Sequence, residues 1–195
     1  FVFIMGPWAP GDPAELRLGN RATPDNIKRE RERMGLNDPI PVRYFNYVGG
    51  VLKGDFGDSY HYQGRSVLEI VRPRLWVSMQ LNIAALIVAV SIGLPLGFYA
   101  AKKQGTARDP AIVISMLVLY AMPVFFTAPF LILFFAVKLH WVPASGWGGF
   151  FSLQIILPAL TIGIPGAAVF VRFMRASTLD VIGQEYVRTA HAKGM

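Results

Sequence analysis

No cysteine occurs among the 195 residues. That excludes a disulfide framework, a cysteine-ligated zinc site and a thiol nucleophile. Charge is scarce as well. Asp, Glu, Lys and Arg make up 16% of the chain, against roughly 25% in an ordinary soluble domain. It is also unevenly placed, because nine of the 12 acidic and 11 of the 19 basic residues precede Leu75. Catalytic signatures are missing. His61, His140 and His191 are far apart, and neither an HExxH pair, a GxSxG elbow nor a phosphate-cradling glycine loop occurs. The chain reads as a non-enzyme that holds no cofactor or metal and has no ATPase site of its own. The two aspartates of "GDFGDS", Asp55 and Asp58, read as turn residues. The net charge of +7 comes without a basic face interleaved with stacking aromatics, so nucleic acid is not the expected partner.

What the chain does have is apolar length. Hydrophobic residues make up 53% of it. Three runs carry no Asp, Glu, Lys, Arg or His: Val77 to Ala101, Ala111 to Val137 and Leu153 to Val171. At 1.5 Å per residue each is long enough to cross about 30 Å of hydrocarbon as a helix. A helix also satisfies its own backbone hydrogen bonds, as lipid demands. The expected fold is an all-α membrane protein, a polytopic bundle whose residues 75–171 form three transmembrane helices. The opening "FVFIM" is too short to span. It reads as the end, about residues 1–6, of a spanning helix that starts before Phe1, with the end of a signal-peptide core as the alternative.

The flanks orient these spans. Between the first and second lie Lys102, Lys103 and Arg108 against one acid, Asp109. The tail after Val171 carries Arg172, Arg175, Arg188 and Lys193. Short segments rich in Lys and Arg stay cytoplasmic. The loop between the second and third spans holds Lys138, Trp141 and Trp147, and its tryptophans suit an outer membrane interface. Asp109 and Pro110 read as N-cap and first helical residue of the second span. Residues 7–74 then form a long extracytoplasmic segment. Within it, Thr23, Pro24 and Gly35 bracket a short surface helix. "RYFNYVGGVL" and "SVLEIVRPRL" read as two amphipathic helices near the membrane surface.

The complete spans contain no ionisable group, which argues against proton-coupled transport by this chain alone. Their polar residues are Gln80, Asn82, Thr127 and Thr161, candidates to line a path or to join helices. Pro95, Pro123, Pro129, Pro158 and Pro165 each remove an intrahelical hydrogen bond and are candidate kinks. "GIPGAA", Gly163 to Ala168, presents small residues that let another helix approach closely. In the tail, Leu179, Ile182, Tyr186 and Ala190 fall on one helical stripe, with Gly183 dividing two short helices. Such a helix either rests on anionic lipid as part of a membrane scaffold or docks a cytoplasmic partner.

The tail ends "EYVRTAHAKGM", and this stretch resembles the cytoplasmic EAA loop of ABC importer permeases in its peptide/nickel variant. With Gly194 as anchor, Arg188, Thr189 and Ala190 stand at the Glu-Ala-Ala positions. Arg188 departs from the acidic first residue, as in the peptide branch, and His191 stands where that branch has Arg. "GLNDPIPVRYFNYVGGVLKGDFGDSY" and "VLEIVRPRLWVSMQLN" are similar to the outer segment and second-span entry of that branch's first permease subunit.

The resemblance implies a type I importer permease fold of the MetI-like kind, in a bacterial or archaeal inner membrane. It implies partners: a second homologous permease, two cytoplasmic ATP-binding subunits, an extracytoplasmic solute-binding protein and membrane lipid. Di- or oligopeptides or related small solutes are the implied cargo. The docking residues it implies are Glu185, Tyr186, Arg188, Thr189, Ala190 and Gly194, in a coupling loop over residues 172–195. About two further spans are expected after Met195.

Overall fold

The computed structural model describes residues 11–19, 22–59, 61–62, 64–185, 187 and 192–193. The "FVFIM" expectation lies outside them. The chain divides into two compact units, Phe1–Trp76 and Val77–Met195. The regular elements among the described residues are helices, with one isolated bridge between Asp58 and Ser66.

The first unit contains α1 (Pro13–Leu18), α2 (Pro24–Arg33) and α3 (Ile40–Leu52). Asp12 accepts from the Ala14 N–H at 3.0 Å, capping α1 with one carboxylate oxygen. Its other oxygen accepts from Arg31 at 3.0 Å. Arg17 pairs with Glu30 at 3.3 Å and with Asp58 at 2.7 Å. These pairs bind α1 to α2 and to the glycine loop. The charge run of α2 is thus only partly a solvated face. As the sequence indicates, α2 starts after Thr23 and stops at Gly35, whose φ of +62° suits glycine. Asp55 accepts from the Gly57 N–H at 2.9 Å, a local turn.

"SVLEIVRPRL" is not a separate surface helix. Its residues from Val67 are the first turns of α4 (Val67–Lys102), a single 36-residue helix. Proline at position 73 does not end it, and neither does Pro95.

The second unit continues with α5 (Arg108–Ala121) and α6 (Val124–Leu131). The backbone then widens into a π-helix, Ile132–Lys138, in which the Leu139 N–H reaches the Phe134 carbonyl at 3.0 Å. A 3₁₀ turn, Leu153–Ile155, leads into α7 (Ile156–Ile182). α4 and the segment Leu153–Ile182 are each long and apolar enough to cross a membrane, and α5 with its continuation qualifies if counted as one span. α7 also runs past the uncharged stretch. The first of the two tail helices is therefore the end of α7 itself, closed at Gly183.

α4 and α7 pack on small residues. A Cβ on Gly163 would lie 2.7 Å from the Ala85 carbonyl oxygen, one on Gly93 2.9 Å from that of Ala167, and one on Gly97 2.6 Å from that of Val171. Backbones this close require glycine. Contact positions rise together on both helices, so the two run parallel. α5 runs antiparallel to α7: Asp109 meets Arg175 near its start, while Leu119 and Met122 face Leu160 to Pro165 near its end.

Candidate functional site

Two regions of the second unit combine polar groups with unusual backbone. The first is where α4 ends, α5 begins and the last turns of α7 pass. Asp109 sits in the first turn of α5, 5% exposed. Arg175 donates from Nε to Asp109 Oδ1 and from Nη2 to Oδ2, both at 2.6 Å. This bidentate fork fixes angle as well as distance. The preceding residue points elsewhere: Arg108 donates from Nη1 to the Tyr99 hydroxyl of α4 at 3.2 Å. Two consecutive residues thus tie the start of α5 to both neighbours. Val171, about one turn before Arg175, and Ala100, next to Tyr99, are both at 0% exposure. Lys102, Lys103, Arg108, Arg172 and Arg175 converge on this end.

Asp109 was expected as an N-cap, and the structure corrects that. The residue preceding α5 is Ala107, and Asp109 lies inside the helix. An Asp-Pro pair is a local start signal, but here the Asp109 carboxylate is taken up by an ion pair that bridges 66 positions. The available sequence signal was an acid beside one apolar run and an arginine just beyond another.

The second region is the break in the run Ala111 to Val137. Met122 is extended, with φ −69° and ψ 124°, as residues before proline tend to be. Pro123 has no N–H to continue the ladder. The helices on either side are bent by 97°. Against the break lies an apolar cavity of about 190 Å³, lined by Leu119, Met122, Thr127, Phe130, Thr161 and Pro165 among others. Outside it, Phe125 is 82% exposed.

The four polar span residues are distributed unevenly. Thr127 and Thr161 come together on the cavity. Thr161 is buried and donates to the Leu157 carbonyl at 2.7 Å, and Thr127 donates to that of Val124 at 3.4 Å. Asn82 is exposed on α4 and donates to Ser78 at 2.8 Å. Gln80 keeps its Oε1 buried, with no hydrogen-bond partner among the described residues. In the tail, Glu185 is exposed. Tyr186, Arg188, Thr189, Ala190 and Gly194 lie outside the described residues. Among those described, no cluster of His, Asp or Glu is arranged to hold a metal ion.

Residues 93–195 match the family described as "Binding-protein-dependent transport system inner membrane component", and residues 1–82 match that system's N-terminal membrane component. The chain is 36% identical over 200 residues to a probable peptide ABC transporter permease protein, y4tP, of Sinorhizobium fredii, covering 100% of this chain and 64% of the relative. It is 36% identical over 194 residues to the oligopeptide transport system permease protein OppB of Escherichia coli K12, covering 99% and 62%. It is 32% identical over 200 residues to the oligopeptide permease AppB of Bacillus subtilis, covering 98% and 63%. The chain thus spans somewhat less than two thirds of the length of these relatives. Matched by family over both of its halves, this chain belongs to the inner-membrane components of binding-protein-dependent transport systems.

Proposed function

We propose that this chain is part of a multi-pass permease subunit of an ATP-driven importer, and forms half of a translocation path for di- or oligopeptides. A second, homologous permease completes the path. Hydrolysis belongs to two cytoplasmic ATP-binding subunits, and cargo arrives from an extracytoplasmic solute-binding protein. Residues 7–74 face outward on this reading. The observation that carries it is the likeness to peptide permeases along the whole chain.

The geometry supports the orientation. Parallel α4 and α7, with antiparallel α5 between them in sequence, leave the 103–107 loop and the tail at one end, and the basic residues gather there. Short basic segments stay cytoplasmic, so the tail emerges where ATPases operate. Gln80, Asn82, Thr127 and Thr161 are the proposed path-lining groups. Glu185, Tyr186, Arg188, Thr189, Ala190 and Gly194 form the docking helix. Tyr186 and Ala190 pack into the ATPase groove, Glu185 and Arg188 pair with its charges, and Gly194 permits the closing turn.

The test is Gly194→Trp in the assembled transporter. ATP-driven uptake of a labelled oligopeptide should be lost while membrane insertion is retained. Normal uptake in that variant would reject the docking helix. Failure of the wild-type protein to co-purify with an ATPase pair and a second permease would reject the wider reading.

A further inference from the structure

Resting on that functional reading, we propose that Asp109 and Arg175 are positioning residues for transport. They make the first turn of α5 move with the last turns of α7, so that displacement of the tail is delivered to the break at Pro123.

Three features carry this. Arg175 lies one helical run upstream of Gly183, where α7 ends and the tail begins. Whatever pulls on the tail pulls first on this part of α7. The grip on Asp109 is two-pronged, with both donor–acceptor distances 2.6 Å and the carboxylate buried. It therefore resists rotation as well as separation. Two close contacts flank it: Gly97 meets the backbone of Val171, and Arg108 holds α4.

The far end of α5 is built oppositely. Met122 and Pro123 interrupt the hydrogen-bond ladder, the following helix leaves at 97°, and an apolar cavity of about 190 Å³ lies beside the turn. A rigid rod with one clamped end and one jointed end converts a small shift at the clamp into a swing beyond the joint. The cavity provides space for that swing without a clash. The segment that swings, α6 with its π-helix, carries Thr127, one of the four proposed path-lining groups.

These 195 residues contain no cysteine, so within them paired spin labels compete with no native thiol. Leu117→Cys and Leu133→Cys lie on either side of the break, both exposed. In the assembled transporter in proteoliposomes, the distance between these labels should change when ATP is trapped with vanadate. Arg175→Lys keeps the charge but loses the fork. It should still assemble with the ATPases and hydrolyse ATP, but lose the distance change. Its peptide uptake per ATP should fall at least about fivefold, the lower edge of typical coupling between sites. Exchanging the pair, Asp109→Arg with Arg175→Asp, should restore part of both.

An Arg175→Lys protein that hydrolyses ATP with unchanged uptake per ATP would overturn the inference. So would an intact distance change in that variant, or losses that merely track the amount of assembled protein. Wild-type protein without ATP-driven uptake would overturn the functional reading, and this inference with it. Normal wild-type uptake alongside a normally coupled variant overturns the inference alone.

Discussion

The two ends of α5 are opposites made from similar material. At its start, glycine meets backbone, a carboxylate meets a guanidinium, and Val171 and Ala100 nearby are fully buried. At its end, a proline cuts the ladder, a cavity stays open and Phe125 turns outward. One end is charged and the other apolar, and between spanning helices the hydrophobic effect contributes little to choosing an arrangement. What separates them is contact quality. Close backbone approach and a satisfied ion pair fix one end, while lost hydrogen bonds and lost packing release the other. The difference shows how one helix can be both anchor and joint.

The strongest way to break the comparison is to open the fixed end. Gly97→Leu should prevent α4 and α7 from closing, because its Cβ alone would sit 2.6 Å from the Val171 carbonyl oxygen. Backbone has little room to retreat, so the cost should exceed the ~1–3 kcal/mol of ordinary overpacking. Loss of monodisperse protein in detergent would register it. Gly166→Ala is the control. Its Cβ would meet that of Ala89 at 3.5 Å, an ordinary contact, and the protein should be unchanged.

Next comes removal of one partner from the clasp. Asp109→Ala strands Arg175 and should cost about 3 kcal/mol, the low end for a broken buried pair because the guanidinium is partly exposed. Arg175→Met added to it should recover part of the loss. If thermal unfolding shows the double variant as damaged as the single one, the pair is not the restraint described here.

At the loose end the effect should be on shape more than stability. Pro123→Ala restores a hydrogen-bond donor and should straighten the bend. Labels at Leu117→Cys and Leu133→Cys should then approach the separation of about 24 Å expected for 16 residues of continuous helix. A distance equal to that of the protein with Pro123 intact would mean that packing, not proline, sets the 97° angle. The smallest effect belongs to Thr161→Val. Its hydroxyl bonds within its own helix, so a change within about 1 kcal/mol is expected. A larger loss, read by thermal unfolding, would show that the hydroxyl matters to more than its own turn.

The sequence announced the apolar runs through the absence of charge, and the α2 helix through Thr23, Pro24 and Gly35. "GIPGAA" announced a close approach, and Gly163 indeed lies against Ala85 and Val88. Its counterpart on α4, the series Ala85, Ala89, Gly93, Gly97 at four-residue spacing, carried the same signal but was masked by the large residues between. The break at Met122 was only half legible. Pro123 marks a candidate kink, but an uncharged run offers no contrast from which to read a 97° bend. Asp109 was misread because local grammar says nothing about a partner 66 residues away. The role of the tail remains tied to resemblance, since most of its proposed docking residues lie outside the described structure.

The parallel seam also has a consequence in time. Val171 is added to the growing chain 74 residues after Gly97. At about 5–20 residues per second, that delay is roughly 4–15 s. Throughout it, the glycine notch of α4 has no mate, and neither does the carboxylate of Asp109 at the start of α5. The joint stays half made until α7 emerges. A nascent chain stalled before Gly163 would leave the notch on α4 facing lipid.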